Sequence, residues 1–447
     1  MKIKNFAEIK SFLFDNKTVK QTIFKNTFWL AVAEVLSKLL KLVLLIYVAR
    51  ILGATEYGKF TFAFAFVYLF AILADLGIGE VAVREFARDG KKEKDFPSIF
   101  SLKILLNLGT LILIFVSSFF ITSNPEIRKL IWILAIYLLM DSFNYLICCF
   151  FRARQQMQYE AFARIFQALT LTATGFFVLF NFPSVWGMSY SYLFAAASAL
   201  IFLLLVFTLK FRLFRIEWNK IVWQRYLAMS WPLALIGGLT MIYNQIDSVM
   251  MGYWNQITEI GWYNASYGIA GAFLVVSSFV STSFYPAQSK YFKESKEILQ
   301  KIWNYQMEIM IFLSVPLIVG GILLAPKLIG FIYDSSFSPA VLAFQILIVM
   351  TGISYLQTPF NRLLIATNQQ KKLFWAVFSG TIINIILNII LIPRFSLYGA
   401  ALATVFTWLV LLLLCLYITY RYTPVNPFRF KFIILKTIWQ KIKKLSL

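Results

Sequence analysis

Glu34, Lys38 and Lys41 stand inside NTFWLAVAEVLSKLLKLVLLIYVARILG, an otherwise apolar stretch long enough to cross a bilayer. Their spacing of four and then three residues puts all three side chains on one helical face. Lys38 lies ten residues beyond Phe28, about 15 Å along a helix and therefore near the middle of a hydrocarbon core about 30 Å thick. A lysine at that depth costs ~2.5–3.5 kcal/mol on insertion scales, so something must offset it. Two readings are open. In the structural one, Glu34 neutralises Lys38 at i+4 and the pair faces another helix, which leaves Lys41 in need of a distant acid; Asp247 is the candidate. In the functional one, the face lines a water-filled cavity whose ammonium groups hold an anionic ligand.

Other polar residues interrupt apolar runs less specifically. YNQID (243–247) places Asn244, Gln245 and Asp247 in one span, where they require an inward face. Asp75 in ADLGI and Asp141 in MDSFNY lie toward the cytoplasmic half, where they could act in transport or pair with loop arginines such as Arg152. Asn384 and Asn388, one turn apart, read as interhelical hydrogen bonds rather than ligands. Pro232 and Gly237-Gly238 weaken their helix and permit bending.

The elements that must position these residues are membrane helices. Of 447 residues, 60% are hydrophobic and 14% charged, against about 25% charged in soluble domains. The runs are continuous rather than alternating, which excludes a strand barrel. Apolar windows fall near 27–49, 57–80, 98–121, 129–151, 161–181 and 185–209, and again near 228–251, 260–285, 303–325, 339–365, 372–393 and 398–420. The expected fold is an all-α polytopic membrane protein of about twelve transmembrane helices.

The net charge of +22 is mostly a topology signal: 34 of the 42 basic residues fall in the N-terminal segment, alternate loops and the C-terminal tail. Both termini are thereby expected in the cytoplasm, with the chain in the inner or plasma membrane. Nucleic acid is not needed to explain the charge. Residues 1–25, with Phe6, Ile9 and Leu13 on one side, read as a cytoplasmic amphipathic surface helix. The basic tail 422–447, with Ile434, Ile438, Ile442 and Leu445 at helical spacing, reads as another. Histidine is absent, and Cys148, Cys149 and Cys415 all lie in apolar runs, so no metal site, cofactor or disulfide framework is expected.

Two halves are traceable. Thr55-Glu56-x-Gly58 matches Thr258-Glu259-x-Gly261, SVWG (184–187) matches SLYG (396–399), and RARQQ (152–156) answers IATNQQ (365–370), in order and at nearly constant offset. The expected division is a six-helix lobe over 26–209, a cytoplasmic linker over 210–227 and a second six-helix lobe over 228–421. Two pseudo-symmetric lobes around a central cavity suit a transporter. No P-loop motif GxxxxGK followed by Ser or Thr occurs, nor a soluble lobe with clustered carboxylates, so enzymatic readings are disfavoured.

The stretch 25–78, KNTFWLAVAEVLSKLLKLVLLIYVARILGATEYGKFTFAFAFVYLFAILADLGI, resembles the N-terminal signature of the Wzx-type polysaccharide-biosynthesis flippases, a branch of the multidrug/oligosaccharidyl-lipid/polysaccharide exporter superfamily. SWPLALIGGLTMIYNQIDSVMMG (230–252) and FRARQQM (151–157) are looser matches. The resemblance implies movement of a polyprenyl-pyrophosphate-linked oligosaccharide from the cytoplasmic to the outer leaflet by alternating access through a cationic cavity. It would make Lys38, Lys41 and Asn244 substrate-binding, Glu34 and Asp247 charge-tuning or ion-coupling (to H+ or Na+), and Arg50, Asp75, Asp141 and Arg152 gate candidates. Glycosyltransferases and a polymerase would be operational partners of a monomer. The competing readings are a cation-coupled multidrug antiporter of the same superfamily, a lipid II flippase, and a non-transporting assembly partner of a polysaccharide machine.

Overall fold

The structure is a computed structural model that describes residues 18–211 and 215–430. Most of the expected N-terminal surface helix and the tail from residue 431 lie outside the described residues. Val19 already opens a membrane helix, with the Thr18 side chain accepting from the Gln21 amide as its cap.

Among the described residues the regular structure is helical. In chain order the helices are α1 (Val19–Leu69), α2 (Ala71–Asp75), α3 (Ile78–Arg88), α4 (Phe96–Ile121), α5 (Pro125–Ala153), α6 (Met157–Asn181), α7 (Val185–Phe211), α8 (Lys220–Tyr253), α9 (Ile257–Glu294), α10 (Lys296–Ile332), α11 (Ala340–Ala366) and α12 (Gln370–Tyr422). Nine of the described helices are long and apolar enough to cross a membrane, and the bent combination of α1 with α2–α3 makes a tenth. The difference from twelve lies in two helices. α1 and α12 run for 51 and 53 residues, about twice what a bilayer needs. Each is broken at one residue, Gly53 (φ 80°) and Ser396 (φ 52°); α12 holds two of the expected apolar windows, and α1 holds one and the larger part of the next, which runs on through α2 into α3.

The chain divides into two compact units, residues Met1–Gln245 and Ile246–Leu447. The division falls inside α8, not in the loop at 210–227 where the sequence places a linker. The reason is that the first half of α8 packs on the first unit. Trp223 Nε1 donates to the Ser98 carbonyl at 2.7 Å and Arg225 pairs with Asp95 at 2.5 Å. Within this unit α1 packs on α6, and α7 on α5 and α6. Its core at one end is a cluster of rings that includes Phe96, Phe150, Phe151 and Phe207.

A bend of 43° separates α1 from α2–α3, and a second bend, where Leu76 and Gly77 are both left-handed (φ 48° and 74°), joins α2 to α3. Glycine is required at 77 twice over. A Cβ would meet Leu233 Cβ at 2.9 Å and the Ser230 carbonyl at 3.0 Å, so α8 can lie against the bend only because position 77 has no side chain.

In the second unit α11 packs on α9, α10 and α12. The repeat read from the sequence is visible in its turns. Gln155 and Asn368 are both left-handed, at φ 58° and 60°. The amides of Arg154, Gln155 and Gln156 donate to the carbonyls of Phe150, Arg152 and Phe151, and those of Thr367, Asn368 and Gln369 donate to Leu363, Ile365 and Leu364. The hydrogen-bond pattern is the same at an offset of 213 residues.

Candidate functional site

The first unit contains a cavity of about 290 Å³ among α1, α5, α6 and α7. Lys41 enters it from α1, Asp141 and Asn144 from α5, and Arg164 and Gln167 from α6. Tyr68, Tyr137 and Tyr192 complete an aromatic wall. The Lys41 ammonium lies 5.0 Å from the centre of the Phe64 ring and 5.4 Å from that of Tyr192, a cation–π arrangement that holds it without an ion pair within 4 Å among the described residues. Asp141 accepts from Gln167 Nε2 at 3.3 Å. The nearest α1 neighbour of Lys41 in the cavity wall is Ser37, whose hydroxyl donates to the Arg164 carbonyl at 3.3 Å.

Lys38 occupies a different place. Its side chain is 57% exposed and pairs with Glu34 at 2.7 Å, the i+4 contact expected from spacing. Glu34 also takes Arg164 at 3.1 Å, and Arg164 takes Glu160 at 2.8 Å. Glu160, wholly buried, is gripped by Arg152 through two hydrogen bonds of 2.6 Å, and Arg152 reaches Glu80 at 3.5 Å. A ladder of alternating charge thus runs Lys38, Glu34, Arg164, Glu160, Arg152, Glu80. Arg152, a candidate gate, is the fifth member.

Asp75, another candidate gate, pairs with the fully buried Lys103 at 2.5 Å rather than with a loop arginine. Arg50 is exposed near the break at Gly53, and Asn244 is exposed on α8 and does not line the cavity. Sequence reasoning missed Arg164 and Gln167, which line the cavity with Lys41, and Glu160, which holds Arg164. Their i, i+4, i+7 spacing on α6 was a usable signal.

Asp247, the acid considered for Lys41, has its own partners. It is buried in the second unit, where Thr404 Oγ1 and Asn388 Nδ2 each donate at 2.6 Å and the Tyr263 hydroxyl at 2.7 Å. Asn388 also donates to Asn384 Oδ1 at 3.1 Å. The two asparagines therefore do join helices, as their spacing suggests, but they do so around a carboxylate. The carboxylate of Asp247 is thus satisfied by three neutral donors, one from each of Thr404, Asn388 and Tyr263. No cluster of three or more His, Cys, Asp or Glu exists among the described residues.

Comparison with known proteins fits this architecture. The probable low-salt glycan biosynthesis flippase Agl15 of Haloferax volcanii is 23% identical over 86% of this chain and 81% of its own length. Among solved structures, the lipid II flippase MurJ in an inward closed conformation superposes with a TM-score of 0.73 at 18% identity, covering 87% of this chain and 86% of that one. An inward-facing MATE-family multidrug resistance transporter of the MOP superfamily gives 0.70 at 15% identity, covering 85% and 92%. At those identities the structural likeness establishes the fold, that of an all-helical multi-pass membrane protein. The family described as polysaccharide biosynthesis protein matches residues 23–292, well over half of the chain and all but the first 22 residues of the first unit, and the protein belongs to that family.

Proposed function

We propose that this protein is a flippase that moves a polyprenyl-pyrophosphate-linked oligosaccharide from the cytoplasmic to the outer leaflet by alternating access. Family membership and the described roles of Agl15 and MurJ support the class of cargo. The observation that carries the site is Lys41, a cation in a cavity whose other charged lining residues are Arg164 and Asp141. Arg164 is already divided between Glu34 and Glu160. Lys41 is therefore the group available to an incoming phosphate. At 4 Å a unit charge pair is worth on the order of 4 kcal/mol at an effective dielectric of about 20.

A cavity of about 290 Å³ holds the charged end of such a lipid and one adjoining ring, not a whole oligosaccharide. Tyr68, Tyr137 and Tyr192 offer stacking faces for that ring. The lipid tail stays in the bilayer, and Lys38 and Asn244 serve the approach to the site rather than its floor. Asp247 acts in ion coupling: occupation of its oxygen cluster by H+ or Na+ replaces the neutral donors that now satisfy it. Asp75 and Arg152, held in ion pairs, are the residues whose partners would have to change if they gate.

The test is the appearance of a polyprenyl-pyrophosphate oligosaccharide in the opposite leaflet of reconstituted vesicles. Wild type is expected to move it, and Lys41→Leu to move it at least about tenfold more slowly, the effect of losing some 1.4 kcal/mol. Equal rates would remove Lys41 from the site. A wild type that moves a cationic dye instead of this lipid would replace the reading with the multidrug antiporter.

A further inference from the structure

A second cavity, also about 290 Å³, lies between α4 and α5 and is lined by Leu111, Ile112, Phe115, Trp132, Ala135 and Ile136. It differs in kind from the first. Its walls are apolar except for the Trp132 indole N–H, which is already donated to Ser118 Oγ at 3.1 Å. Ile112 is 63% exposed, so the slot opens outward from the unit.

Immediately toward the helix ends, the chemistry changes in steps. The rings of Phe119 and Trp132 lie 6.1 Å apart, and those of Phe115 and Trp132 4.9 Å. The Arg128 guanidinium stacks 4.5 Å from the Phe119 ring centre and donates from Nη2 to the Thr122 carbonyl at 3.1 Å. Its Nε has no hydrogen-bond partner although buried. Lys129 is exposed beside it. Neither cation forms an ion pair among the described residues, because the adjacent Glu126 is bound to Lys59 at 2.8 Å. Arg128, Trp132 and Ile136 follow one another at i+4, so a cation, an aromatic level and an apolar slot succeed each other over about 12 Å of one helix face.

That sequence of environments matches one amphiphile. We propose that the α4–α5 groove binds a single anionic phospholipid, with its phosphate at Arg128 and Lys129, its glycerol region at the level of Phe119 and Trp132, and one acyl chain in the slot. Two cations beside a single carboxylate, Glu126, that Lys59 already holds select negative charge. A free phosphate would use the cations and leave the slot empty, and a neutral lipid would do the reverse. The site is separate from the Lys41 cavity, so its occupancy is readable without transport.

Trp132 is the reporter. In proteoliposomes, the part of the fluorescence lost in Trp132→Phe is titrated with lipids brominated on the acyl chain. Brominated phosphatidylglycerol is expected to reach half-maximal quenching of that component at roughly fivefold lower mole fraction than brominated phosphatidylcholine. The preference disappears in Arg128→Gln/Lys129→Gln. Lys129→Gln alone, at an exposed position that leaves the Arg128 to Thr122 bond intact, is expected to reduce it roughly two- to threefold. Lys327→Gln leaves it unchanged. Equal quenching by the two lipids in wild type, or a preference that survives both the single and the double substitution, would overturn the site.

Discussion

The two units share a turn geometry and part ways in how they hold charge. The first unit carries a dense set of ion pairs between described residues, from Lys38–Glu34 through the Arg164–Glu160–Arg152 ladder to Arg225–Asp95. The second unit instead buries Asp247 among hydroxyls and carboxamides, and adds an amide chain in which Gln288 donates to Gln306 and Gln306 to Ser281. Its helices also carry internal prolines at 286, 316, 326, 359 and 393, whereas Pro232 is the only such residue among the described residues of the first unit. The turns at Gln155 and Asn368 match while the polar groups in the two interiors differ. A carboxylate surrounded by neutral donors can change its proton or cation without stranding a neighbour. One locked between two guanidiniums cannot. The first unit is thereby suited to a fixed electrostatic surface, and the second to a switchable one.

The strongest way to break this contrast is Glu160→Gln. It removes the wholly buried carboxylate between two guanidiniums, leaving Arg152 with Glu80 and Arg164 with Glu34, and is expected to cost on the order of 3 kcal/mol, read as a large fall in thermal unfolding temperature of the purified protein. A shift of only a degree or two would show that the ladder is replaceable. Next is Gly77→Ala, whose Cβ enters α8 from a left-handed backbone; a loss of about 1–3 kcal/mol is expected, and a neutral result would mean that α8 does not rest on the bend. Thr404→Val removes one of three donors to Asp247 and should cost about 1–2 kcal/mol. That is well below Glu160→Gln; if the order is reversed, the second unit is the more rigid one. Asp247→Asn sharpens the same point in function: transport should lose its response to an imposed H+ or Na+ gradient while the protein stays folded. Smallest is Lys38→Leu. With more than half of its side chain exposed, it should change unfolding by no more than about 1 kcal/mol, in contrast to a large transport loss for Lys41→Leu at unchanged stability.

The membrane character and the repeated turns were legible in sequence, because hydropathy runs and a conspicuous RARQQ/ATNQQ pair are local features. The merging of paired spans was less so, since Gly53 and Ser396 break a helix without ending it. Spacing correctly joined Lys38 to Glu34. It could not show that Lys41, three residues on, turns into a cavity while Lys38 does not, because that depends on where α6 and α7 lie. Arg164 was counted among the basic loop residues that set the topology, and Glu160 was not weighed at all, so both escaped notice. Asp247 was recognised as an unusual carboxylate, but its partners at 263, 388 and 404 are brought to it only by the packing of α9 and α12.

The ladder through Glu34 also has an order in time. Arg164 is 130 residues beyond Glu34, and at about 5–20 residues per second it emerges from the ribosome roughly 6–26 s later. Throughout that interval the first span must sit in or beside the insertion machinery with Glu34 and Lys38 aboard, and the only ladder partner each then has is the other. The i+4 pair is in this sense a temporary escort for membrane entry, later shared when α6 arrives. Reversing it, as Glu34→Lys/Lys38→Glu, would preserve entry and disturb only the final assembly. Stalled nascent chains ending before Met157 would insert normally, while the full-length protein would lose the Arg164 rung.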